Sequence, residues 1–351
     1  MKKMVKSLSQ QAILAKTDRV LGLDEALATG HRIIDVRSAG EFSAGTIPGA
    51  INISLFDDDE RGIIGTIYRH GGQSQAFDQG FEFVEKKLAW LLSSFQSFEN
   101  QPLAICCARG GMRSRSVVNL LTGAGFSACQ LRGGYKEYRQ GVLDRLEGFR
   151  PRLIVIHGLT GTGKTRILQR LQQAIDLEEL AGHRSSLFGG LDRQPSNQRT
   201  FESLLAARIA TLGEEPYFIE GESRKIGRVF IPKPLAVAMK QAVLVNIHCR
   251  LETRIARIIE DYPITDEKMQ QQIDRILRSL EQKMGSEEVE RMCCLLRERN
   301  LPELVRTLLL EYYDKRYGKS MSEYHFALEI SAEDIDEAAA RLEEFRSSSS
   351  T

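Results

Sequence analysis

Short apolar runs alternate with longer stretches in which apolar residues recur every three or four positions. In the first part of the chain the runs are Ile33-Ile34 within Arg32–Ser38, then Leu103-Ala104-Ile105, then Cys129-Gln130-Leu131. Each is too short for a helix and is bounded by polar or glycine-bearing segments, so each predicts a buried strand. Residues 81–96 and 115–123 carry helical spacing between them. The pattern then restarts, with strand-like runs at Leu153-Ile154-Val155-Ile156, Tyr217-Phe218-Ile219 and Val243-Leu244-Val245-Asn246-Ile247. From Asp266 to Arg346 the chain reads as mostly helical. Strands alternating with helices predict an α/β protein built on parallel sheets. The restart predicts two domains, 1–140 and 151–346, with a linker at 141–150 and a disordered, serine-rich tail at 347–351.

Composition narrows this picture. A chain of 351 residues exceeds one ordinary domain, and its 42% apolar and 27% charged content supplies cores and a soluble surface for two. The net charge of +1 means that a nucleic-acid surface has to be a local patch. No run approaches the roughly 18 apolar residues of a membrane helix, and Met1–Leu8 has basic residues without an apolar signal core. The six cysteines show neither a disulfide framework nor CxxC zinc spacing. A cytoplasmic protein with no membrane role and no tightly bound cofactor is expected.

The most informative segment is Ile105-Cys106-Cys107-Ala108-Arg109-Gly110-Gly111-Met112-Arg113-Ser114. It places a cysteine at a strand end, followed by a glycine-rich basic loop that opens a helix. Loop amides, the helix N-terminus and the side chains of Arg109 and Arg113 all favour negative charge at Cys107. The same loop, with Gly110 and Gly111, suits a tetrahedral oxyanion. Cys106, one position earlier on the strand, should face the other side of the sheet. Upstream, Asp57-Asp58-Asp59-Glu60 reads by default as the solvated start of a helix.

A second loop, Gly158-Leu159-Thr160-Gly161-Thr162-Gly163-Lys164-Thr165, follows the strand ending at His157 and opens a helix. This is G-x-x-x-x-G-K-[ST] in its confirming context, a phosphate-binding P-loop. Gly158, Gly161 and Gly163 free the backbone amides to face a phosphate, Lys164 reaches its terminal oxygens, and Thr165 is placed to hold a Mg²⁺ ion. A nucleotide or any other diphosphate would fit. Glu220 or Glu222 could act as acid or base, order a metal-bound water, or pair with Arg224 and Lys225. Arg250, Arg254 and Arg257 recur near helical spacing, as a lid over phosphates or as a solvated face. Arg291, Arg297, Arg299, Arg306, Lys315, Arg316 and Lys319, interleaved with Tyr312, Tyr313 and Tyr317, suit either RNA or an ordinary amphipathic helix. Arg184, Arg224, Arg250, Arg254 and Arg316 are candidate phosphate or RNA contacts.

Asp35-Val36-Arg37, Glu41-Phe42, Gly45–Asn52 and Gly133-Gly134-Tyr135 together resemble the signatures of the rhodanese fold over about residues 15–140. The Cys107 to Arg113 interval, C-x5-R, is longer than that of common sulfurtransferases and equals that of the rhodanese-like phosphatases. A rhodanese-like module ahead of a P-loop NTPase-like module with a helical extension is similar to the bacterial tRNA 2-selenouridine synthases. Leu55–Asp58, Gly65–Tyr68, Leu177-Glu178, His183-Arg184, Phe188-Gly189, Glu220-x-Glu222-Ser223-Arg224 and Tyr312-Tyr313-Asp314 extend the match. Ser185 stands where glycine is expected after the arginine of that family.

That resemblance implies a substrate tRNA bearing a 2-thiouridine wobble base. It further implies geranyl diphosphate, which alkylates the thiocarbonyl sulfur, and selenophosphate, whose selenium then displaces the geranylthio group. Cys107, Arg109 and Arg113 would take up the selenium, releasing phosphate and delivering it from a selenopersulfide. The amides of the P-loop and Lys164 would hold the diphosphate. The competing expectation is a rhodanese-like sulfurtransferase or phosphatase fused to an ATP-dependent kinase acting on small molecules. A further one is a non-catalytic RNA-binding protein with a degenerate rhodanese module.

Overall fold

The computed structural model describes residues 17, 19–184, 186–191, 193–221, 223–321 and 323–348, without the side chains of 317–320. It divides into two compact units, residues 1–145 and 146–351.

Five strands form the sheet of the first unit: β1 (Val20–Leu21), β2 (Arg32–Asp35), β3 (Ile51–Asn52), β4 (Leu103–Cys106) and β5 (Ala128–Leu131), in the order β1-β5-β4-β2-β3. Every pairing is parallel, with Ile34 opposite Ile105 and Ile105 opposite Gln130. The fully buried β4 and β5 are apolar almost throughout, as a sheet covered on both faces requires. The helices are α1 (Leu23–Ala28), α2 (Ala39–Ser43), α3 (Asp58–Ser94), α4 (Met112–Gly123) and α5 (Gly134–Gly148).

α3 begins where the acidic run was read as a helix start. Asp57 caps it reciprocally, accepting from the Glu60 N–H at 2.8 Å while its own N–H reaches the Glu60 carboxylate at 3.1 Å. At Gly72 the backbone takes φ 81°, ψ −175°, and the helix folds into two limbs, 58–71 and 73–94. α5 runs through most of the segment expected as a linker, and the division between the units falls inside it.

The second unit has a parallel sheet in the order β12-β11-β6-β8-β7, made of β6 (Leu153–His157), β7 (Ala174–Ile175), β8 (Tyr217–Glu220), β11 (Val243–His248) and β12 (Leu328–Ser331). A separate antiparallel hairpin joins β9 (Lys225–Ile226) to β10 (Val229–Phe230). α6 (Lys164–Leu168), α7 (Leu177–Ala181), α8 (Gln198–Ala210), α9 (Lys233–Lys240) and α10 (Leu251–Asp261) intervene between strands. A helical layer follows: α11 (Glu267–Arg278), α12 (Glu281–Met284), α13 (Ser286–Arg297), α14 (Leu301–Thr307), a π-helical turn Leu308–Tyr313 and α15 (Asp314–Met321). These helices bury their own apolar cluster, including Met269, Leu277, Met292, Leu296 and Leu309. The final helix, α16 (Ile335–Ser348), includes Ser347 and Ser348, the first residues of the expected tail; residues 349–351 lie outside the described residues. The α/β class with parallel sheets therefore holds in both units. No helix among the described residues is long and apolar enough to cross a membrane.

Candidate active site

The sheet of the first unit ends at its centre in Cys107. Its thiol is buried, 3% exposed, and belongs to the apolar cluster of Ile105, Val117 and Leu121. Cys106 lies in a different cluster, with Ile33, Ala104 and Cys129, as strand alternation requires. Burial pushes the Cys106 thiol well above its usual range, with Asp35 and Cys107 adding to the shift.

The loop after Cys107 is closed by glycines. Gly110 has φ +58°, and a Cβ there would stand 2.8 Å from the Leu131 carbonyl oxygen. The N–H groups of Tyr135 and Lys136 bond the carbonyls of Cys107 and Ala108 at 2.9 and 3.0 Å, so Gly133-Gly134-Tyr135 clamps the loop from behind. The Gly111 N–H points at the Cys107 sulfur at 3.4 Å, and the Ser114 hydroxyl lies 3.1 Å from it. Gln130 donates to the Ser114 oxygen at 2.8 Å and to the Gly111 carbonyl at 2.9 Å. The Ser114 hydroxyl has two acceptors within reach of its one proton, the Gly111 carbonyl at 3.2 Å and the Cys107 sulfur at 3.1 Å.

Arg113 is held by Glu41 at 2.8 Å, with Arg61 on the same carboxylate at 3.2 Å. Burial works to raise the Glu41 pKa, but Arg113, Arg61 and Arg37 outweigh it and the carboxyl titrates below its ordinary range. Arg109 is exposed, and both arginines border a cavity of about 1630 Å³ that opens onto Cys107. Asp35 and Arg37 of the opening signature are a buried ion pair at 2.6 Å, with Arg37 stacked 3.9 Å over the Tyr135 ring. They hold the loop's surroundings and do not face the thiol's cavity.

In the second unit β6 delivers the chain into the loop Gly158–Thr165, with Gly161 at φ +84° and Gly163 at φ +97°. Lys164 curls over the loop and donates to the Gly158 carbonyl at 2.7 Å. Gly158, Gly161, Gly163, Lys164 and Thr165 line one cavity of about 750 Å³, together with Arg184 and Arg316. His157, at the loop's base, is driven down to a pKa of about 4 by burial and by the charge of Lys164.

Two arginines brace the loop from behind. Arg254 donates to the Thr160 carbonyl at 2.8 Å and makes a two-pronged pair with Asp314 at 2.6 and 3.0 Å. Arg257 donates to the carbonyls of Thr162 and Ala332, each at 2.7 Å. Both are buried, 5% and 7% exposed.

Residues 151–347 match the family described as the tRNA 2-selenouridine synthase AAA domain, and residues 21–140 match the rhodanese-like domain. A tRNA 2-selenouridine synthase of Nitrosomonas europaea is 34% identical over 260 residues, 70% of this chain and 68% of that protein. One of Cronobacter sakazakii is 38% identical over 257 residues, 68% of this chain and 67% of that protein. The N-terminal domain of a putative ATP/GTP-binding protein from Clostridium difficile 630 shares 41% identity, covering 35% of this chain and 98% of that one, with a TM-score of 0.33.

The chain belongs to the tRNA 2-selenouridine synthase family.

Within this synthase-family chain the sequence-predicted residues fall into two separate sites, one in each unit. Cys107, Arg109, Gly110, Gly111 and Arg113 converge on the first, and the P-loop residues with Arg184 and Arg316 on the second. Glu220 is buried beside the loop strand, and one of its oxygens accepts the Glu178 N–H at 2.7 Å. Glu222 lies outside the described residues. Arg254, read as a phosphate or tRNA contact, is buried as a brace of the loop, because its guanidinium satisfies a loop carbonyl and a carboxylate at once. Arg250 is exposed and pairs with Glu333 at 3.2 Å, and Arg224 is exposed ahead of the β9–β10 hairpin.

The basic and aromatic run of the helical layer resolves toward ordinary surface and core. Arg291, Arg297 and Lys315 pair with Glu288, Glu290 and Glu311, and Tyr313 is buried. Its hydroxyl accepts the Leu187 N–H at 3.3 Å. The side chains of Tyr317 and Lys319 lie outside the description.

Sequence reasoning missed Gln130, Glu41 and the braces. Gln130 did leave a signal: a polar residue inside an otherwise apolar strand of a two-sided sheet needs buried partners.

Proposed function

We propose that this chain converts 2-thiouridine at the wobble position of tRNA into 2-selenouridine in two steps. In the first, the thiocarbonyl sulfur attacks the allylic carbon of geranyl diphosphate. The carbon–oxygen bond breaks, pyrophosphate leaves with the electron pair, and the base loses a proton. In the second, selenium from selenophosphate takes the place of the geranylthio group, which departs as geranylthiol, while phosphorus ends as inorganic phosphate. Family membership supports tRNA selenation, and the presence of two glycine-rich, basic loops, one in each unit, is what supports assigning one loop to each phosphorus-bearing donor.

The observation that carries this reading is the setting of the Cys107 sulfur, with the Gly111 N–H at 3.4 Å, the Ser114 hydroxyl at 3.1 Å and Arg109 and Arg113 on the same cavity wall. A thiol so placed can attack a tetrahedral oxyanion held by the loop. Electron counting corrects the selenopersulfide expected from the sequence. If sulfur bonded to selenium, the phosphorus–selenium pair would stay on phosphorus, and phosphate could not form without an oxidant. Attack at phosphorus instead breaks that bond with both electrons on selenium. Selenide is then free to attack C2 of the alkylated base, and water later cleaves the sulfur–phosphorus bond to give phosphate.

At the P-loop, the backbone amides and Lys164 would bind the diphosphate and stabilise its departure as pyrophosphate. Thr165 lines the same cavity, and a threonine hydroxyl is a hard oxygen donor of the kind Mg²⁺ prefers. Among the described residues no cluster of three or more His, Cys, Asp or Glu side chains could form a metal cage. A Mg²⁺ ion there would take most of its ligands from diphosphate and water, and would neutralise charge on the leaving group.

The test is mass analysis of nucleosides from 2-thiouridine tRNA incubated with geranyl diphosphate, with selenophosphate, and with both. Geranylthiouridine in the first incubation and selenouridine in the last are expected. Cys107→Ser should accumulate geranylthiouridine without selenouridine, and Lys164→Ala should lose geranylation by at least about a hundredfold. Full selenation by Cys107→Ser, or normal alkylation by Lys164→Ala, would overturn the corresponding assignment. Affinity for tRNA should fall steeply with salt as phosphate contacts are displaced, and a flat salt dependence would remove tRNA as substrate.

A further inference from the structure

Selenophosphate is a small anion, yet the cavity that reaches Cys107 is about 1630 Å³. That is larger than the roughly 300–1,000 Å³ that encloses a drug-sized ligand. Its walls explain the excess. Phe56 and Ile64 on and before the first limb of α3 face Phe77, Val84, Leu88 and Leu92 on the second, so the fold at Gly72 encloses an apolar chamber beside the thiol. Such a lining offers a phosphate-sized anion no hydrogen bonds. The charged lining is different: Arg69, Arg109 and Arg115 border the same space, and of the carboxylates there Glu41 is engaged by Arg61 and Arg113 and Asp58 accepts the Gly40 N–H, which with Glu85 leaves the arginines in excess.

The occupant must therefore be amphipathic: an apolar group for the chamber, phosphates for the arginines, and a reacting atom near Cys107. We propose that this chamber binds the hydrocarbon chain of the S-alkylated tRNA base, with its C2 turned toward the Cys107 loop and the flanking phosphodiesters on the arginines. The inference rests on the proposed two-step function and adds a specificity site to its second step. The alkyl group is then more than an activating substituent on sulfur. It is the handle by which the alkylated base is distinguished from plain 2-thiouridine and anchored for displacement, and the released geranylthiol departs from the same chamber. Burying each methylene of that chain should strengthen binding about fourfold.

The experiment uses full-length protein, selenophosphate and tRNAs carrying chemically installed S-methyl-, S-prenyl- or S-geranyl-2-thiouridine, so that the alkylation step is bypassed. The expected result is a KM for selenation that falls with chain length, by at least about tenfold from methyl to geranyl. Leu88→Trp, which narrows the apolar part of the chamber where the chain would lie, should reduce the kcat/KM preference for geranyl over methyl by at least tenfold. Equal KM values across the series in the unsubstituted protein would overturn the chamber's role while leaving the two-step function standing. An unchanged preference in a folded Leu88→Trp protein would do the same. Failure to selenate any alkylated tRNA would overturn the function itself and this inference with it.

Discussion

The Cys107 sulfur and the Ser114 hydroxyl stand 3.1 Å apart, and the same hydroxyl oxygen accepts a hydrogen bond from Gln130 at 2.8 Å. The side chain that meets the sulfur is thus oriented by a third residue from the neighbouring strand. Removing that hydroxyl leaves Gln130 its bond to the Gly111 carbonyl and takes from the sulfur a group able to donate to it while the sulfur–phosphorus bond breaks. Ser114→Ala should slow selenation about 10²-fold with geranylation unchanged, and single-turnover assays should show a phosphorylated enzyme that persists. Selenation at the unsubstituted rate would dismiss Ser114 from the reaction.

Gly110 occupies a left-handed turn with the chain packed against it. A Cβ there would lie 2.8 Å from the Leu131 carbonyl and 2.9 Å from the Gly133 nitrogen. Gly110→Ala should destabilise the first unit by more than about 1 kcal/mol and lower its thermal midpoint. Selenation should fall further than stability alone accounts for, since the loop amides shift with the turn. Gly111→Ala, where nothing stands within 4 Å of the added carbon, is the control and should melt like the parent.

Arg254 and Arg250 lie four positions apart and should behave oppositely. Arg254→Leu strands Asp314 and the Thr160 carbonyl and should cost about 3 kcal/mol, read by denaturant unfolding, with geranylation lost. Arg254→Lys should rescue little, because an ammonium cannot reproduce the two-pronged pair. Arg250→Ala removes an exposed ion pair and should change stability by less than about 1 kcal/mol.

His157 makes the second unit sensitive to acid. Burial, then the neighbouring Lys164 charge, lowers its pKa from 6.5 to about 4. The depressed value belongs to the folded state, so the unfolded chain takes up a proton first as pH falls below 6.5. Stability from a neutral His157 is therefore complete above pH 6.5 and is lost progressively down to about 4, by about 3 kcal/mol in all. Asp176 opposes this over part of the range, because burial pushes its carboxyl up to about 6. The comparison that isolates His157 is the pH dependence of unfolding in His157→Asn against the parent protein. Between pH 6.5 and 4 the parent should lose about 3 kcal/mol of stability relative to the variant; parallel curves would assign the acid sensitivity elsewhere.

How much was legible in the sequence follows from the range over which each feature is built. The loops Cys107–Ser114 and Gly158–Thr165 are contiguous, their glycines and amides act within a few residues, and the flanking strands and helices announce themselves by periodicity. The family, the α/β class and the two glycine-rich loops that open helices could therefore be read from the chain alone. Arg254 and Arg257 show the opposite case. On a helix with alternating charge they look like a solvated or phosphate-facing surface, and only their burial against the P-loop reveals them as braces. Likewise Glu41 reaches Arg113 across 72 positions, and Gln130 meets Ser114 only because β5 pairs with β4 in one register. The chamber beside Cys107 exists because α3 doubles back at Gly72, which places two apolar faces opposite one another. Local backbone chemistry fixes a motif wherever its residues are neighbours in sequence. Where the partners are distant, the choice between a buried brace, an exposed contact and a chamber wall is made by which faces the packed sheets and helices bring together.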